Sequence, residues 1–90
     1  MQNRKQLAAF LKDQRIACSK SQKALANSLG YESPQFISNW ERGLSRPPAE
    51  ILMTLAQELN TDPMKLYNLV LECELSIVTE KLKKEFSNSI

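Results

Sequence analysis

An all-α domain is what this sequence predicts, on three observations. Apolar residues recur at three- and four-residue spacing through several segments, as one face of a helix requires. The punctuation between those segments is of the helix-bounding kind: Ser or Asp before a run, Pro at its first position, Gly after its last. No stretch alternates apolar and polar residues as a half-buried strand would, and there are no internal repeats or low-complexity segments.

Each element follows from this grammar. The first helix spans about 4–17, with Leu7, Phe10 and Leu11 as its apolar stripe. Ser21 is placed to cap a second, short helix that buries Leu25 and Leu29; Ala26 allows a neighbour to approach closely, and Gly30 supplies the left-handed residue that ends it. Ser33 caps a third helix over 34–42, with Pro34 at the first position, where a missing N–H costs nothing. Ile37 and Trp40 face inward, Gln35, Ser38, Asn39 and Arg42 fall on the opposite side, and Gly43 stops the helix. Ser45-Arg46-Pro47-Pro48 reads as a stiff loop, with Pro48 opening a fourth helix over 48–59 that buries Ile51, Leu52, Leu55, Ala56 and Leu59. Asn60-Thr61 ends it. Asp62 caps the fifth helix, Pro63 takes its first position, and from Met64 the pattern stays helical to about Phe86.

Composition narrows the function. Ninety residues, 42% apolar, make one domain of modest core. No run approaches the ~20 apolar residues of a membrane span. The start, Met1-Gln2-Asn3-Arg4-Lys5-Gln6, is polar and then amphipathic, unlike a secretory signal. Cys18 and Cys73 have neither metal-ligand nor disulfide-framework spacing, which suits reduced thiols in the cytoplasm. The chain has no histidine, which excludes histidine acid–base and triad chemistry. It has no Gly-rich phosphate loop, CxxC pair or metal-spaced carboxylates, and a lone cysteine without histidine makes a poor nucleophile. The expectation is therefore a non-enzyme with no cofactor, metal or small-molecule ligand.

Charge points to a polyanion. The net charge is +2, but residues 1–46 hold eight Lys/Arg against three acids and residues 47–90 hold four against seven. The basic half contains the second and third helices. A short helix with bulky apolar residues on one face and amides and small polar groups on the other can pack on a core and enter the DNA major groove. Gln35 and Asn39, four apart, share the polar face, and such amides can pair bidentately with adenine. A solvated polar helix surface is the plainer alternative.

The run "SQKALANSLG…SPQFISNWERG" resembles the helix-turn-helix of the phage-repressor class, the Cro/C1 or XRE type, and the resemblance covers about residues 4–71. It implies a five-helix, lambda-repressor-like all-α fold. It further implies a transcriptional regulator, a repressor, that reads a double-stranded operator as a homodimer. The base-reading set it implies is Pro34, Gln35, Ser38 and Asn39, with Pro34 standing where many members carry a glutamine. Ser21, Gln22 and Lys23 at the start of the second helix, Arg42 and Arg46 around the loop after the third, and Arg15 are the implied phosphate contacts. The family joins an arginine near the end of helix 1 to a glutamate near the end of helix 3, which here are Arg15 and Glu41. Phe36 stands where the family has tyrosine, and packing under the turn is the reading favoured for it. The turn between helices 2 and 3 is about one residue longer than usual. Ser19-Lys20 replaces a usual Gly-Leu, so a core leucine is missing, with Cys18 as its stand-in.

Residues 1–71 would form the DNA-binding domain and 72–90 a helical extension. There Leu71, Leu75, Val78, Leu82 and Phe86 form a heptad-like stripe flanked by mixed charge. It is a candidate dimerisation element, the alternative being a fold-back onto helices 1 and 5. As a whole, a protein-binding module without DNA contact, an antitoxin and a restriction–modification controller remain open functional alternatives.

Overall fold

The computed structural model describes residues 4–89; Met1–Asn3 and Ile90, parts of the polar start and of the extension named above, lie outside them. The order is α1 (Lys5–Ala17), α2 (Gln22–Ser28), α3 (Gln35–Glu41), a 3₁₀ turn (Ala49–Ile51), α4 (Leu52–Glu58) and α5 (Pro63–Ser89). Five α-helices and no strand are found among the described residues, as predicted.

One core holds these helices together. Leu7 and Leu11 of α1, Leu25 and Ala26 of α2, Ile37 and Trp40 of α3, Leu52, Leu55 and Ala56 of α4, Leu59 just after it, and Leu66 and Val70 of α5 are all buried and mutually packed. Phe10, Leu29 and Ile51, expected in the core, reach it only partly. Pro47 is fully buried and anchors the stiff loop.

The first four helices end the same way. After each, one residue takes a left-handed conformation: Ser19 (φ 57°), Gly30 (φ 87°), Gly43 (φ 74°) and Asn60 (φ 53°). At each, that residue's N–H and the next one's donate backward to the last free carbonyls, as with Gly43 to Trp40 (3.2 Å) and Leu44 to Asn39 (2.9 Å). Ser19 is the unfavourable member, because a Cβ crowds the following carbonyl in this region. Ser19→Gly is expected to stabilise the protein by about 1 kcal/mol, read as a raised melting temperature with unchanged far-UV dichroism.

Two helix starts differ from expectation. α3 begins at Gln35, with Pro34 in the capping position at ψ 4°; Ser33 Oγ still accepts the Gln35 N–H at 3.3 Å. Pro48 does not open α4, because its ψ of 147° is extended and the next three residues tighten into the 3₁₀ turn. Ser21 and Asp62 cap as expected, accepting the Ala24 and Met64 N–H groups at 3.0 Å each.

Lys20, where the resembled family has a core leucine, links two corners instead. Its Nζ donates to the Glu58 carbonyl (2.8 Å) and carboxylate (2.7 Å) at the end of α4. That hydrogen bond to the ammonium holds the Glu58 carboxyl below its ordinary value. Cys18 turns only partly inward and donates its thiol proton to the Leu59 carbonyl at 3.3 Å.

α5 is one unbroken helix of 27 residues, about 40 Å long, and it stretches the molecule to 50 × 25 × 21 Å. It does not fold back. Its first half packs on the domain through Leu66, Val70 and Cys73, all buried. Cys73, two residues beyond the 71/72 division expected from sequence, is 2% exposed.

Candidate nucleic-acid interface

Apolar packing places α3 and an ion pair sets its angle. Ile37 and Trp40 are buried beneath it, and Tyr31, in the turn before it, lies edge-on to Trp40 at 5.9 Å and tilted against Phe36 at 4.8 Å. Tyr31 was not legible as a site residue, since nothing local says that the longer turn swings its ring under α3. Phe36 uses one side on Tyr31 and leaves about half its surface (52%) to solvent.

Arg15 and Glu41 pair as the resemblance implied. Arg15 Nε meets Glu41 Oε2 at 2.6 Å and its second terminal nitrogen meets Oε1 at 3.0 Å, a two-pronged fit. The side chains are 12% and 4% exposed. The third Arg15 nitrogen caps the Lys20 carbonyl at 2.8 Å. Hydrogen bonding to the carboxylate holds the Arg15 proton more tightly than usual, against the opposing effect of burial.

Gln22 joins this network. Its Nε2 donates to Glu41 Oε1 at 3.0 Å. The amide expected at a phosphate is thus oriented by the glutamate at the end of α3, with a second N–H left to donate. Lys23 and Ser21 are exposed beside it, Ser21 with its oxygen used in the cap.

On the open face of α3, Gln35 and Asn39 touch each other: Gln35 Nε2 donates to Asn39 Oδ1 at 3.0 Å. One Gln35 N–H is thereby used, while its carbonyl oxygen and other N–H keep the geometry a base edge needs. Ser38 is half-buried, Arg42 exposed and Pro34 half-buried at the start of the helix. Arg46 is not open: it pairs with Glu74 of α5 at 3.3 Å and donates to the Pro47 carbonyl at 2.9 Å.

The extension presents what the sequence outlined, and more. Leu71, Leu75, Val78, Leu82 and Phe86 are 39–70% exposed, and Met64 and Tyr67 continue the same apolar line toward the start of α5. Among the described residues no helix is long and apolar enough to cross a membrane, and no cluster of His, Cys, Asp or Glu could hold a metal.

Comparisons with known proteins agree with this geometry. No curated protein matches the chain significantly. The crystal structure of the clp gene regulator ClgR from Corynebacterium glutamicum is similar, with a TM-score of 0.62 at 21% identity, over 97% of this chain and 88% of that one; at this identity the likeness concerns the fold. A helix-turn-helix family model matches residues 11–66, from within α1 to the first turn of α5. That match takes in α2, α3 and the Arg15–Glu41 clamp, and with it the chain belongs to the Cro/C1-type helix-turn-helix family of DNA-binding transcriptional regulators.

Proposed function

We propose that this regulator is a cytoplasmic repressor that reads a two-fold symmetric operator as a homodimer, with α3 in the major groove and α2 across the backbone. The observation that carries the base-reading part is the exposed Gln35–Asn39 amide pair on the face of α3 opposite Ile37 and Trp40. In this reading Asn39 orients the Gln35 amide, Gln35 pairs with one base, and Ser38 and Pro34 lie against the neighbouring bases. Gln22, Ser21 and Lys23 take one phosphate run; Arg42 takes another. Arg15 acts chiefly through Glu41. Arg46 reaches a phosphate only by leaving Glu74. Half-sites would lie about 34 Å apart, one turn of duplex.

The test is selection of bound sequences from a random pool, followed by Gln35→Ala on the selected operator. The expected loss is about 1–3 kcal/mol of discrimination at one or two positions, with non-specific binding unchanged. Equal loss on every sequence makes Gln35 a backbone contact and overturns the assignment. Affinity is also expected to fall steeply with salt, the slope of log K against log[salt] being about −0.9 per neutralised phosphate. Lys23→Ala and Arg42→Ala should each flatten that slope by about one phosphate. A flat dependence in the unaltered protein belongs to the module that serves protein partners only.

A further inference from the structure

α5 carries two apolar stripes on opposite sides. One, Leu66, Val70 and Cys73, is packed on the domain. The other runs along Tyr67, Leu71, Leu75, Val78, Leu82 and Phe86, and every one of these is exposed by 39% or more. At about 100° per residue the two stripes lie more than a third of a turn apart, so the domain leaves the second stripe open along the whole helix.

The order of residues on the open stripe is informative about direction. We propose that a second copy of α5 lies on it antiparallel, with the two-fold axis crossing between residues 76 and 77; this rests on the homodimer reading above. In that register Leu71 meets Leu82 of the second copy and Leu75 meets Val78, while Tyr67 and Phe86 lie at the same height on opposite edges of the seam. The four central apolar residues of the stripe each find an apolar partner. Asn68 falls opposite Glu85, an amide against a carboxylate. On the flanks, Glu74 comes beside Lys81 of the second copy and Glu72 beside Lys83, and the two-fold axis makes each pair twice.

A parallel pair keeps the apolar layers but loses the polar and charged matches. It sets each layer against itself, so Glu85 faces Glu85 at a seam position, where two carboxylates repel with little water to screen them. It also sets the flanking Glu74 near Thr79, and Lys81 near Phe86, so neither flank has opposite charges to pair. On the flanks of the free stripe the acids Glu72 and Glu74 come first and the bases Lys81 and Lys83 later, with Glu74 also held by Arg46 of its own chain, and the antiparallel arrangement sets these acids beside those bases.

Two full-length variants, Leu71→Cys and Leu82→Cys, one with a longer tag, test this. Both positions are exposed in the single chain, so each variant should fold, and far-UV dichroism checks it. The two are mixed, oxidised mildly, and the linked peptides are identified by mass spectrometry, which also separates any link through Cys18 or Cys73. The expected result is a dominant mixed 71–82 disulfide. Leu71→Cys alone should not link to itself, since the two sulfurs would lie about 16 Å apart along the helices, beyond disulfide reach. Self-links at 71 and at 82 without the mixed link overturn the antiparallel arrangement and leave the homodimer reading standing. Absence of all three links, with a monomer in sedimentation, overturns both.

Discussion

If the proposed homodimer forms through α5, replacing both Leu75 and Leu82 by lysine in the full chain is expected to leave a folded monomer and to weaken operator binding about 10²–10⁴-fold. The size comes from linkage. Once one half-site is held, the second domain binds at a high effective concentration, and a monomer forfeits that gain. Fold and loss separate cleanly because both side chains are 56–59% exposed and neither belongs to the buried core. Sedimentation gives the oligomeric state, dichroism the fold, and a mobility shift on full and half operators the affinity. Half-site binding should hardly change. A variant that remains dimeric places the interface elsewhere. Truncation after Leu71 would be a poorer test, since it also deletes Cys73 from the packed face of α5 and Glu74 from its contact with Arg46.

Glu41→Ala is expected to cost about 3 kcal/mol of folding stability. The carboxylate is 4% exposed and accepts three hydrogen bonds, two from Arg15 and one from Gln22. Its removal leaves the Arg15 guanidinium, 12% exposed, without its counter-charge and frees Gln22 from the end of α3. Arg15→Ala should cost a similar amount. The double variant should cost clearly less than the sum, because the buried charge left alone in either single variant is absent from it. DNA affinity should fall with stability in all three, since the clamp sets the angle of α3 against α1. Denaturant titration measures each corner of the cycle, and strictly additive losses would show that the two residues do not act as a unit.

How far the site could be read in advance divides along a physical line. That Gln35 and Asn39 share one polar face was legible because a four-residue offset fixes the face of a helix whatever surrounds it. Trp40 and Ile37 were legible as the buried side for the same reason. Arg15 and Glu41 were placed together by family resemblance, not by spacing, for no local rule links positions 26 apart. Gln22 and Arg46 were read as free for phosphate. Each is held by a carboxylate from a distant element, Glu41 and Glu74, and no sequence pattern announces such a partner.

What the sequence by itself determined is the set of helices and several of their ends: Ser21 and Asp62 as caps, Gly30, Gly43 and Asn60 as stops, and apolar stripes at helical period. These are local, since capping and periodicity involve residues within a turn or two of one another. Only the tertiary structure decided which polar groups are spoken for, that Lys20 replaces a core leucine by an ion pair to Glu58, that Tyr31 underpins α3, and that the domain's packing on α5 extends to Cys73. It also showed that α5 leaves its second stripe open from Met64 to Phe86. A stripe's period reports that it will be buried; what buries it depends on the packing of chain segments far apart in sequence, and that is settled only when the helices meet.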